Sequence, residues 1–193
     1  MKRVVLFFAL LASSVLLFGQ DKPEQNKTEP GKTAQTKAHL GKNPVTDAIR
    51  EIFPRQQKNL IAAADAMPAD KFGYSPTPAQ MPFSHLVLHM TTSNIELCSK
   101  IGNMPPPPLG PAPESDKSRL MAVLTKSFLY CEAALNRVDD SKLGNSVELW
   151  GGKQANVAFA LFALTNDWAD HYSAAAMYLR LNGLLPPTAQ PKK

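Results

Sequence analysis

Residues 165–187 read TNDWADHYSAAAMYLRLNGLLPP. The spacing is that of a helix with one face to bury. Gly183 is placed to cap its C-terminus, and Pro186-Pro187 cannot continue it. Asp167 and His171 stand four residues apart, so they share a helical face. That face is either a metal or catalytic site, or two polar residues in water.

Working backwards, the same helix extends to about residue 153, just after the WGG at 150–152. A second helix is predicted over about 46–67, with Thr46 able to cap it. Pro54 should kink or split it, and Met67-Pro68 should end it. A third is predicted over about 82–101, where Phe83, Val87, Met90, Asn94, Leu97, Cys98 and Ile101 fall near one face. A fourth spans about 116–137, with Ser115 as its cap. Leu120, Leu124, Phe128, Cys131 and Leu135 form its core stripe. No strand-like alternation persists. Four helices in about 150 residues make an all-α, four-helix bundle the expected fold class for a domain at 44–193. Between the second and third helices in chain order lies GNMPPPPLGPAPES, residues 102–115. Its four consecutive prolines make it stiff and extended, and long enough to cross the end of a bundle.

Residues 1–20 are a different object. A short basic start, an apolar run of 15 residues and a polar sequel have the layout of a secretory signal peptide. The run is short of the roughly 20 residues of a membrane span. Leu17 and Gly19 would occupy the −3 and −1 cleavage positions, and the alternative is an uncleaved anchor. No cysteine follows the run, as a lipoprotein would need. Export, to a periplasm, is the expectation, with no stable membrane span once the leader is removed. Residues 21–43 are polar and nearly free of large apolar groups, so they read as a disordered linker.

The chain's net charge of +5 belongs mostly to these first 43 residues, which carry seven Lys and Arg against three Asp and Glu. The remainder carries fourteen against thirteen, a net +1. A nearly neutral domain has no basic stripe for phosphates, so nucleic acid is not an expected partner.

Of four histidines, His39 lies in the linker. His85 and His89 are four apart on the second helix in chain order, and His171 stands one turn after Asp167. A pair at i and i+4 with a third ligand from a facing helix can make a three-residue zinc site with an open position for water. Imidazole equally suits nickel, iron and copper. The same spacings occur on solvated faces. Asn94, Asn166 and Asp170 could orient imidazoles, whereas Trp168 and Tyr172 read as packing aromatics. Alanines 160, 163, 174 and 175 leave either room for a pocket or a close helix contact. No phosphate loop, nucleophile elbow or zinc-finger spacing occurs, and Ser173 beside His171 does not make a triad.

AAADAMPADKFGYSPTPAQMPFSHLVLHM at 62–90 and DWADHYSAAAMYLRLNGLLPP at 167–187 resemble the DinB-like family of four-helix bundle proteins, and the likeness runs from about 46 to 187. The resemblance implies a divalent metal at the bundle centre, held in the family by three histidines. Transferred by position, His89 and His171 match two of them and Asp167 stands where the third is usual. The implied ligand set is therefore His89, Asp167 and His171, with zinc, nickel, iron or manganese as the ion. The resemblance also implies an up-down-down-up order, with the proline-rich loop crossing between two parallel helices. In that order Cys98 and Cys131 become level, implying a Cys98–Cys131 disulfide; the alternative is two buried free thiols. Three functions stay open: a metal-dependent enzyme acting with small thiols on a small-molecule substrate, a metal-binding bundle without catalysis, and a metal-free structural or partner-binding bundle. Homodimeric pairing also stays open, because no exposed apolar stripe marks a surface for it.

Overall fold

The computed structural model describes residues 41–191. The expected leader at 1–20, and residues 21–40 of the expected linker, lie outside them. Four helices make up the described domain: α1 (Pro44–Ala66), α2 (Phe83–Gly102), α3 (Lys117–Leu135) and α4 (Val157–Leu181). Each presents one apolar face to a common core. The core is filled by Phe53 and Leu60 of α1, Phe83 and Met90 of α2, Leu124 and Phe128 of α3, and Leu164 and Trp168 of α4. The fold is all-α, a four-helix bundle. Among the described residues no helix is long and apolar enough to cross a membrane.

Side-chain pairings give the relative directions. Asn94 bonds to Ser127 and Cys98 to Cys131, and a Cβ on Gly102 would meet Ala134. These pairs advance together along both helices, so α2 and α3 run parallel. Phe83 packs on Tyr178, His89 on His171, and Asn94 on Trp168. Here one number rises as the other falls, so α4 runs against α2. Arg50 near the start of α1 reaches the Leu135 carbonyl at the end of α3, and Lys117 at the start of α3 reaches the Met67 carbonyl just past α1. Those two helices are antiparallel.

Parallel neighbours need a crossover as long as the helix. Twenty helical residues rise about 30 Å, and the residues between α2 and α3, largely proline-rich, span that distance in extended form at about 3.1 Å each. The crossover is fastened at both ends. The Tyr130 hydroxyl donates to the Met104 and Pro105 carbonyls at its start. At its end Arg119 donates to the Leu109 and Pro111 carbonyls, and Glu114 contacts Ser84 and His85 of α2.

Several boundaries differ from those read in the sequence. Pro54 neither splits nor ends α1, which is continuous from Pro44. Pro54 is exposed, so the carbonyl it leaves unpaired can turn to water. Thr46 is not the cap but a buried residue inside the helix. The Asp140 carboxylate caps α1 from 95 residues away, accepting from the Val45 and Thr46 backbone N–H groups and the Thr46 hydroxyl. Asp116, not Ser115, caps α3 by accepting from the Arg119 N–H. The last helix starts at Val157 with Asn156 as its cap, not at 153. The preceding residues form a small antiparallel hairpin, β1 (Ser146–Glu148) and β2 (Gln154–Asn156), with Val147 opposite Ala155. Positive φ at Gly151 and Gly152 turns its tip. Gly183 stands one residue past the C-cap Asn182, also at positive φ. Its N–H bonds the Arg180 carbonyl and that of Leu184 bonds Leu179, which ends α4 in a Schellman motif.

Candidate metal centre

His89 projects from α2 toward α4, and Asp167 and His171 lie one turn apart on α4. The His89 and His171 rings meet edge to face, with centroids 5.0 Å apart and planes at 88°. His171 Nδ1 lies 3.1 Å from Asp167 Oδ2. His171 is buried, Asp167 is partly covered, and His89 is exposed, so the cluster opens to solvent on the α2 side.

Asp167 Oδ2 is the unusual atom. It is buried, yet it accepts no hydrogen bond. Its 3.1 Å approach to His171 Nδ1 is close but is not aligned as a hydrogen bond. A buried carboxylate oxygen without a donor costs free energy. A cation could supply what the protein does not.

The rotation of α4 that brings Asp167 and His171 to this face is set by the next residue. Trp168 is buried against Phe53 and Phe128, with centroids 5.5 and 6.3 Å away. Its Nε1–H donates to Asn94 Oδ1 at 2.8 Å, and Asn94 Nδ2 donates to the Ser127 hydroxyl at 3.0 Å. Three helices are thereby locked by one buried amide.

The other sequence candidates sit apart from this cluster. His85 bonds Glu114 of the crossover at 2.8 Å. Asn166 and Asp170 are exposed on α4. The Tyr172 hydroxyl donates to Thr188 Oγ1 at 2.8 Å and holds the C-terminal segment. Cys98 and Cys131 are bonded to each other, with Cα atoms 5.1 Å apart. Two features were read only in part or not at all. Asn94, on the core stripe and offered as an orienter of an imidazole, instead bridges Ser127 and Trp168, 33 and 74 residues away. Glu114 carried no signal beyond a charge in a proline-rich loop.

As a donor set, two imidazoles and one carboxylate suit zinc, nickel, iron or manganese. The unsatisfied Asp167 Oδ2 is consistent with that chemistry. Among the described residues no three His, Cys, Asp or Glu side chains already converge as a metal-binding group. The donors are assembled as two pairs sharing His171.

Residues 52–175 match the family model described as the DinB superfamily. Two solved structures share the fold. A DinB-like protein from Bacillus subtilis is 18% identical with a TM-score of 0.60, over 75% of this chain and 99% of that one. A DinB-like protein from Bacillus cereus is 13% identical with a TM-score of 0.61, over 73% of this chain and 95% of that one. No curated protein sequence matches the chain.

Proposed function

The chain belongs to the DinB superfamily, and from that premise we propose that it binds a divalent metal ion between α2 and α4, with His89, Asp167 and His171 as the ligand residues. The observation that carries the reading is the buried Asp167 Oδ2 without a hydrogen-bond donor, 3.1 Å from His171 Nδ1. The edge-to-face approach of His89, 5.0 Å between centroids, adds a second imidazole from the facing helix.

Each residue has a separate task. His171 is held by the packing of α4 and supplies a neutral imidazole nitrogen. Asp167 supplies the negative charge and biases the orientation of the ring beside it. His89 comes from the exposed side and leaves a path for solvent or a ligand. A divalent ion bound there would act as a Lewis acid and lower the pKa of a coordinated water or thiol. The buried Trp168–Asn94–Ser127 chain holds α4 against α2 and α3. An exported, oxidising setting is a further part of this proposal. The bonded Cys98 and Cys131 support it, because disulfides persist outside the reducing cytosol.

The test is metal content. The purified full chain, dialysed against zinc, nickel, iron(II) or manganese and then against buffer, is expected to retain about one equivalent of at least one ion by mass spectrometry. His171→Ala and the exposed variant His89→Ala are each expected to lose it. Absence of metal from the native chain, or full retention in His89→Ala with unchanged helical content, overturns the reading.

A further inference from the structure

About 16 Å along α2 from His89, at 1.5 Å per residue, a cavity of about 550 Å³ opens where α2 and α3 end. The turn after α3 and the β1 hairpin close it on the other side. Lys100, Arg137 and Lys142 line it, with the Asn103 and Asn145 amides between them and Val157 in its apolar wall. No carboxylate lines it. Glu96 and Glu148 line an adjoining hollow that shares Lys100, Asn103, Ser146 and Val147 with it. The acids beside Lys142 are engaged elsewhere. Asp140 accepts from Val45 and Thr46, and Asp139 from Ser141. Lys142 Nζ donates to the Arg137 carbonyl at 2.8 Å. Among the described residues the Lys100 and Arg137 side chains have neither a hydrogen bond nor an ion pair.

Basic residues collect at helix C-termini because the helix dipole favours them there. Two helices end at this cavity, so that preference has to be weighed. Each helix end carries about half a negative charge, so the two ends offset about one of the three cations that line the cavity. A cleft lined by one sign of charge concentrates the field and draws counter-ions. Its volume lies within the roughly 300–1,000 Å³ of small-molecule pockets and exceeds the need of a monatomic ion.

We propose that this cavity binds a small multivalent oxyanion, a ligand with two or more carboxylate or phosphate groups. Arg137 supplies the planar fork that such groups fit, Lys100 and Lys142 supply point charges, and Asn103 and Asn145 supply neutral donors. The site is separate from the His89–His171 cluster and does not depend on a metal there.

The experiment is a nitrogen-15 NMR titration of the full chain with citrate and, in a second arm, with inorganic pyrophosphate, at matched ionic strength. Saturable shifts are expected at residues 100–103 and 137–147, and the stronger of the two arms identifies the preferred oxyanion. Arg137→Gln should weaken binding about tenfold, the loss of one charge-assisted hydrogen bond. Lys58→Gln, on the exposed side of α1, should leave it unchanged. All these side chains are exposed or only partly covered, and the unchanged amide spectrum of each variant verifies folding. No saturable shift in either arm, shifts confined to other residues, or equal weakening by Lys58→Gln overturns the proposal.

Discussion

Asn94 shows how much one buried side chain can decide. It is 1% exposed, and its amide accepts from Trp168 and donates to Ser127. Asn94→Ala leaves the buried indole N–H without a partner, whereas the Ser127 hydroxyl still donates to the Leu124 carbonyl at 2.7 Å. Each unsatisfied group costs about 1–3 kcal/mol. Urea denaturation at neutral pH is expected to show a loss of about 1–3 kcal/mol, and Trp168 emission should shift to the red. A loss under about 0.5 kcal/mol would mean that water replaces the amide without cost. Such a residue is legible only by half. Its place on the apolar face of α2 predicts burial, but nothing in the string says which donors will surround it. Asp167 and His171 are the opposite case. Their i, i+4 spacing on one helix is a local property, so their pairing could be read directly. The proximity of His89 depends on how two helices pack and could come only from the resemblance.

At the scale of elements, the periodic parts and the Gly183 stop of α4 were readable and the N-caps were not. Core stripes place α2 and α3 within a residue or two, because a 3.6-residue period is a feature of the string itself. Helix ends depend on which polar group arrives from elsewhere. Asp140 is the clearest example. Burial alone would raise its pKa, but hydrogen bonds from Val45 and Thr46, with Arg50 nearby, hold the carboxyl below its usual 3.8. A carboxyl depressed in the folded state stabilises above its unfolded pKa and loses that contribution as pH falls through the folded one. Asp140→Asn is therefore expected to lower the melting temperature at pH 7. The gap between native and variant should narrow as pH drops below about 4. Equal gaps at pH 7 and pH 2.5, measured by circular dichroism, would show that the charge contributes nothing. The hairpin at 146–156 escaped notice because three-residue strands are too short to show alternation, and only Gly151-Gly152 marked the turn.

For the whole molecule, the decisive feature is that α2 and α3 are parallel neighbours joined by a rigid crossover. The Cys98–Cys131 bond ties them near their C-terminal ends, across a separation of 33 residues. Closing a loop of that size constrains the unfolded chain by about 3–4 kcal/mol. Cys98→Ala/Cys131→Ala is expected to lower stability by that amount in urea, and the native chain should match the variant only when unfolded in the presence of reductant. A difference under about 1 kcal/mol would show that the tie adds little to packing. Sequence alone determined the helical class, the apolar faces, the stiff segment between α2 and α3 and the polar pairs within single helices. All of these follow from spacing along one chain. Tertiary structure decided which helices touch, that one amide joins three of them, that Asp140 caps a helix begun 96 residues earlier, and that three cations share one cavity. Those are contacts between distant segments, and their energy exists only once the chain has closed the loops between them.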